Sequence, residues 1–256
     1  MSIAKKLLAF FGDKYLHEIS RYQIETYYST RSEQVGVCMM NREVVTLKGI
    51  CTKAVEWGFL TINPVKGFKL EKELPRLRFL KKLESAKLIE VSGKEPKAPY
   101  LRPAIIIDLN TGLRKEELFS LKWSNVDLSR NVITVEEGKG GYTRYAPLNE
   151  TARIQLLKLL EKQKGEYVFH NSYGRRIKDI KRSFGSALDR AGLENVQFHD
   201  LRRTFGTMGV FENVSPKSLQ KWMGHKSIEI TMKYYVVSPE DYEQEAINPY
   251  CPLEMG

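Results

Sequence analysis

The rhythm of apolar and polar positions changes twice along this chain. From Ile3 to Trp57 apolar residues recur three and four apart. Ile3, Leu7, Leu8 and Phe11 share one helical face, Ile24, Tyr27 and Tyr28 a second, and Val44, Leu47, Ile50, Cys51, Ala54, Val55 and Trp57 a third that stops at Gly58. Ser20 is placed to cap the second of these helices. Three or four packed helices account for the segment. Asn63-Pro64 breaks the period, and the stretch to Arg78 is polar, basic and interrupted by Pro75, which disfavours helix at the residue before it. That composition fits an exposed connector, so two domains are expected, 1–74 and 75–256.

In the second segment helical periods run through Leu88 and from Leu101 to Leu109, and Thr111-Gly112 is expected to open a helix carrying Arg114, Glu117, Leu118 and Leu121. After Trp123 the period falls to two. Val126 to Leu128, Val132 to Val135 and Tyr142 to Leu148 are short β-rich runs separated by Ser129-Arg130-Asn131 and Gly138-Lys139-Gly140-Gly141, which predicts a three-stranded antiparallel sheet. From Glu150 onward helical patterns return. Ile177 to Ala191, Asp200 to Phe211, Pro216 to Met223 and Ile228 to Val236 are expected as helices, the last two capped by Ser215 and Ser227. Ile228, Ile230 and Met232 would anchor the last one. Beyond Ser238 one short helix with Tyr242, Ala246 and Ile247 on its apolar face is expected before Asn248-Pro249 and Pro252. The fold class is mainly α with a small antiparallel sheet, α+β.

Composition narrows the function classes. With 256 residues, 42% of them hydrophobic, the chain can bury two cores, and no apolar run approaches a membrane span. A soluble, cytoplasmic protein is expected. A formal charge of +10 favours a polyanionic partner, because each phosphate neutralised by Lys or Arg releases counterions; a solvated lysine face would give the same composition. Cys38, Cys51 and Cys251 form no C-x-x-C pair, so neither a zinc finger nor a disulfide framework is indicated.

Four short stretches concentrate chemically useful side chains. Arg114 follows Thr111-Gly112, with Glu117 three residues on and on the same helical face; a guanidinium fork matches two phosphate oxygens and a carboxylate can orient it. Lys139 stands in a glycine-rich hairpin tip, where its ammonium can reach a large ligand; a nucleotide-binding loop is excluded, since the lysine precedes a strand instead of opening a helix. His199 and Arg202 lie one helical turn apart, a group that titrates near neutrality beside one that holds an anion. Gly224-His225 is followed nine residues later by Tyr234. A phenol of pKa ~10 becomes a useful nucleophile only with a proton acceptor and cations beside it. Each stretch alone is equally compatible with ordinary surface or packing roles.

Taken in order, the four stretches resemble the tyrosine recombinase, or phage integrase, family: an Arg in a T-G-x-R turn, a Lys in a β-hairpin, an H-x-x-R helix, a G-H loop and a Tyr about nine residues later. The resemblance implies a helical core-binding domain over 1–74 and a catalytic domain over 75–256. It implies that Arg114 and Arg202 clamp the scissile phosphate, Lys139 is the general acid toward the 5′-oxygen, His199 the acid/base group, His225 a second phosphate ligand and Tyr234 the nucleophile, with Glu117 orienting Arg114. Tyr235 is adjacent, but neighbours on a helix point about 100° apart, so only one faces a given site. The implied reaction is DNA strand exchange through a 3′-phosphotyrosine, with no cofactor or metal, on double-stranded DNA as a homotetramer on two duplexes. A non-catalytic DNA-binding protein and a type IB topoisomerase-like relaxing enzyme are the alternatives. Many relatives have His after the second arginine where this chain has Arg203, and some carry an additional arm-binding domain before the first helical segment. The resemblance implies that the C-terminal helix docks in a neighbouring protomer, with packing on its own domain as the alternative.

Overall fold

A computed structural model describes residues 2–73, 76, 78–136 and 143–236, and in it the chain divides into two compact units, Met1–Arg76 and Leu77–Gly256. The first unit is helical: α1 (Ile3–Phe11), α2 (Arg21–Ser32) and the long α3 (Val37–Glu56). Ser20 closes a capping box on α2, its hydroxyl accepting from Gln23 N–H while the Gln23 side chain accepts from Ser20 N–H. The core is built from Leu7, Phe11, Ile24, Tyr27, Val44, Leu47, Cys51 and Ala54. Leu8, Ile50 and Trp57, grouped with these by periodicity, are exposed. In a three-helix unit each helix buries only one stripe, and these three lie beyond its edge.

Within that core sits a charge. Glu43 is fully buried and accepts from Tyr27 Oη at 2.8 Å, Lys6 Nζ at 3.0 Å and the Arg31 guanidinium at 2.8 and 2.9 Å. The Arg31 bonds, outweighing the desolvation that opposes them, hold the Glu43 carboxyl at about 2.

The second unit surrounds one sheet with helices. α4 (Lys82–Ser92) and α5 (Leu101–Thr111) come first, followed by the one-and-a-half-turn α6 (Lys115–Phe119). β1 (Val126–Asp127), β2 (Val132–Val135) and β3 (Arg144–Pro147) form an antiparallel sheet in the order β1-β2-β3. The register pairs Ile133 with Ala146 and Val135 with Arg144. α7 (Glu150–Leu160), α8 (Lys181–Ala191), α9 (His199–Phe211), α10 (Pro216–Met223) and α11 (Ile228–Met232) follow, and a 3₁₀ turn (Lys233–Val236) closes the described chain. α5 is the central element, with Leu101, Ala104, Ile105, Ile106 and Ile107 buried and α4, α7 and α9 packed around it. Among the described residues no helix is long and apolar enough to cross a membrane.

Three local expectations change. Thr111-Gly112 ends α5 instead of opening α6: Gly112 takes the left-handed conformation (φ +59) and donates its N–H to Asp108 O at 2.8 Å, a C-cap that glycine permits without strain. Ile177 and Ile180 are buried in a non-helical approach, and α8 starts only at Lys181, after Asp179 has accepted the Lys181 N–H. Ile228, Ile230 and Met232 are exposed and do not anchor α11; its buried side chain is Thr231. The tail with Tyr242, Ala246 and Ile247 lies outside the described residues.

Candidate active site

Arg114 occupies the N-cap position of α6, where the chain is still extended and its side chain can turn back across the helix start. Glu117 accepts from it twice, from the backbone N–H and from a terminal guanidinium nitrogen, both at 2.7 Å. The other terminal nitrogen of Arg114 donates to Gly224 O. Glu117 is held from the opposite side by Arg144, whose two terminal nitrogens donate to Oε1 at 3.0 Å and Oε2 at 2.5 Å. Burial alone would raise the Glu117 carboxyl, but the bonds from Arg144 and Arg114 outweigh it and keep it below the usual carboxylate range.

Arg202 projects from the first turns of α9 and is 2% exposed. Its terminal nitrogens donate to Gly112 O at the end of α5 and to Met223 O at the end of α10. Orphan carbonyls at two helix C-termini therefore fix the guanidinium, with favourable dipoles at both ends. Burial, and the repulsion of Arg114 and Arg144, lower its pKa to about 10, so it stays charged at neutral pH. Beneath it, Asp108 of α5 is 1% exposed, and neither carboxyl oxygen has a hydrogen-bond partner among the described residues. Desolvation drives its pKa well above the ordinary value, against the attraction of Arg202.

His225 follows Gly224, whose left-handed conformation (φ +64) ends α10 and turns the chain back toward Arg144. Its Nδ1 lies 2.9 Å from Thr231 Oγ1. Burial first, then Arg202, Arg114 and Arg144, push the imidazole down to about 4, which makes it neutral at physiological pH. The Tyr234 ring lies parallel to the His225 ring, with centroids 5.8 Å apart and planes 5° apart. Tyr234 also presses on Gly206 of α9, where a Cβ would come within 2.7 Å of the ring. Burial raises the Tyr234 phenol, against the pull of Arg202 and Arg203. Tyr235 points elsewhere: its hydroxyl donates to Val214 O. His199 opens α9 with a solvent-accessible imidazole whose pKa is nonetheless lowered, by desolvation against the neighbouring chain and by Arg203, Arg202 and Arg114. Arg203 is paired with Asp200 at 3.0 Å.

The structure thus gathers Arg114, Glu117, His199, Arg202, His225 and Tyr234 around one place, although they come from helices, a helix cap and a loop spread over more than a hundred residues of chain. Lys139 lies outside the described residues. Three buried groups were missed by the sequence reading: Arg144, Asp108 and Thr231. The first two left a signal. Arg144 is in phase with Ala146 on the inward face of β3, and Asp108 interrupts the apolar run of α5. Among the described residues no three His, Cys, Asp or Glu side chains gather as a metal site would need.

Such a cluster presents fixed positive charge, a neutral imidazole and a phenol to an anionic group. Comparison with known proteins gives it a lineage. The sequence profile of the phage integrase family matches residues 78–241. A Haemophilus influenzae protein named as an integrase/recombinase is 28% identical over 233 residues, 86% of this chain and 62% of that one. The tyrosine recombinase XerC of Oceanobacillus iheyensis is 31% identical over 232 residues, 85% of this chain and 75% of that protein. This chain therefore spans about three fifths of the Haemophilus protein and three quarters of the XerC protein. The fold is shared with a lambda integrase fragment, solved as a dimer bound to a COC′ core site, at a TM-score of 0.79 and 23% identity over 91% of this chain and 86% of that one. On profile, sequence identity and fold, the chain belongs to the phage integrase family of tyrosine recombinases.

Proposed function

We propose that this protein cuts and rejoins DNA strands at specific sites through a 3′-phosphotyrosine on Tyr234. The observation that carries the reading is the placement of Tyr234: its ring is stacked on His225 within the field of Arg202, while the hydroxyl of its neighbour Tyr235 is engaged by Val214 O. In the proposed step Tyr234 Oη forms a bond to the scissile phosphorus as the bond from phosphorus to the 5′-oxygen breaks. The phenol proton passes to His199, whose lowered pKa leaves the imidazole neutral and open to it. Lys139 supplies a proton to the departing 5′-oxygen. A 5′-hydroxyl from the partner duplex then reverses the sequence, one phosphoester replacing another.

Arg114 and Arg202 hold the non-bridging oxygens, and their carbonyl anchors mean that little reorganisation is needed as charge develops. In the tautomer whose Nδ1 accepts from the Thr231 hydroxyl 2.9 Å away, the neutral His225 carries its proton on Nε2, and this is the form proposed to donate to the same phosphate. Duplex DNA is the proposed substrate, gripped by the helical first unit as core-binding domain as well as by the second, and a tetramer on two duplexes the proposed working assembly. A nicked suicide substrate tests the central claim. The parent is expected to form a covalent adduct that survives a denaturing gel, Tyr234→Phe to bind the DNA without forming one, and Tyr235→Phe to retain it. An adduct formed by Tyr234→Phe, or lost with Tyr235→Phe, overturns the assignment.

A further inference from the structure

Arg144 has no place in the steps above, yet it is among the most constrained side chains of the second unit. It is a charged residue on the inward face of β3, 6% exposed, and all three of its guanidinium nitrogens are engaged. Nε donates to Trp222 O at 3.1 Å, and the terminal pair straddles Glu117. Each Glu117 oxygen therefore accepts two bonds, one from Arg114 and one from Arg144, which saturates the carboxylate and leaves it a single orientation. The side chain also fills the space beside Gly224, where a Cβ would stand 2.7 Å from Arg144 Cδ and Nε. Sheet, α6 and the turn that delivers His225 thus meet on one guanidinium.

We propose that Arg144 is a positioning residue for the transfer step: through Glu117 it fixes the direction of Arg114, and through the 222–224 carbonyl turn it fixes the place of His225. This rests on the strand-cutting function proposed above. Lysine at 144 would restore the charge but not the span, because one ammonium cannot hold both Glu117 oxygens and the Trp222 carbonyl with the planar geometry of a guanidinium. Glutamine would remove the charge as well. Among the described residues the charges that bear most on His225 are those of Arg202, Arg114, Arg144 and His199, so removing Arg144 is expected to change its titration measurably.

Two readouts separate the possibilities. In single-turnover adduct formation at saturating DNA, Arg144→Lys and Arg144→Gln are both expected to slow the step on the order of 10- to 100-fold, with DNA affinity close to the parent's. Glu117→Gln with Arg144→Gln should be no slower than the slower single variant, within about twofold, because both act on the same guanidinium. NMR titration of the chain's four histidines, with His225 assigned by its loss in His225→Gln, reads the second effect without any turnover. His225 is expected to titrate near the parent's position in Arg144→Lys and clearly higher in Arg144→Gln. Thermal melting identifies variants that fail to fold, for which Arg144→Lys is the milder substitute. A parent rate in Arg144→Lys, additive losses in the double variant, or an unmoved His225 in Arg144→Gln would each overturn the proposal. Absence of any adduct from the parent would instead count against the strand-cutting reading, while the histidine titration would still decide whether Arg144 governs His225.

Discussion

A buried carboxyl group without a donor weakens the fold that contains it, and Asp108 has none among the described residues. Because its folded pKa is raised, it is protonated in both states at low pH; as pH rises from about 4 the unfolded chain ionises first, and stability falls until the folded group's own pKa is reached. Asp108→Asn should therefore melt higher than the parent at neutral pH, by roughly 2–4 °C if about 1 kcal/mol is recovered, and the gap should close in acid. A lower melting point at pH 7 would show that the carboxyl has a stabilising partner. Arg114, His199, Arg202, His225 and Tyr234 were legible in the sequence as spaced motifs, whereas Asp108 and Arg144 acquire meaning only from being buried. Periodicity marks which face turns inward but cannot say whether a charge on that face finds a partner there, as Arg144 does and, among the described residues, Asp108 does not.

At the level of elements, the helix ends matter more than the helices. Gly112 and Gly224 end α5 and α10 in the left-handed conformation, and the carbonyls exposed at those ends receive Arg202 and Arg114. A T-G pair serves either as a stop or as a lead into the next helix, and only the hydrogen bond from Gly112 N–H to Asp108 O makes this one the end of α5 instead of the start of α6. Periodicity likewise suggests an apolar anchor for α11 that the fold does not provide. A five-residue helix followed by a 3₁₀ turn has too little length to bury a stripe, and Thr231 is the side chain it turns inward. What holds this segment is the packing of α11 on α10 and of the following 3₁₀ turn on α9, where Tyr234 lies on Gly206. Gly206→Ala places a methyl 2.7 Å from that ring, so Tyr234 must move. Adduct formation is expected to fall at least about tenfold, since misplacement by an ångström can cost more than that, while DNA affinity stays near the parent's. An unchanged rate would show that Tyr234 has room to adjust.

Across the whole molecule, the two units carry charge in their interiors in different ways. In the first, Glu43 is fully matched by Arg31, Lys6 and Tyr27. Its depressed pKa means that it contributes stability above the ordinary carboxylate range, and that this is lost as pH falls toward about 2. Glu43→Ala leaves Arg31 without its main partner and is expected to cost the first unit roughly 3–5 kcal/mol. Urea unfolding read by Trp57 fluorescence, in a chain where Trp123 and Trp222 are phenylalanine, should shift by that amount. A shift below about 1 kcal/mol would mean that the network is replaceable.

In the second unit the proposed phosphate-binding arginines lean on Gly112 O, Met223 O and Gly224 O, and these are main-chain atoms. Every amino acid supplies a carbonyl, so no substitution deletes these anchors; only a change in chain path can. A pocket fixed this way tolerates drift in the surrounding side chains, which suits a fold held in common at 23% identity. Saturation mutagenesis around the site should therefore find its sensitive positions concentrated at Gly112 and Gly224, which steer the chain as well as supplying carbonyls, and at the guanidiniums with Glu117 between them, whereas Met223, which lends only its carbonyl, should vary in side chain as far as its buried packing allows.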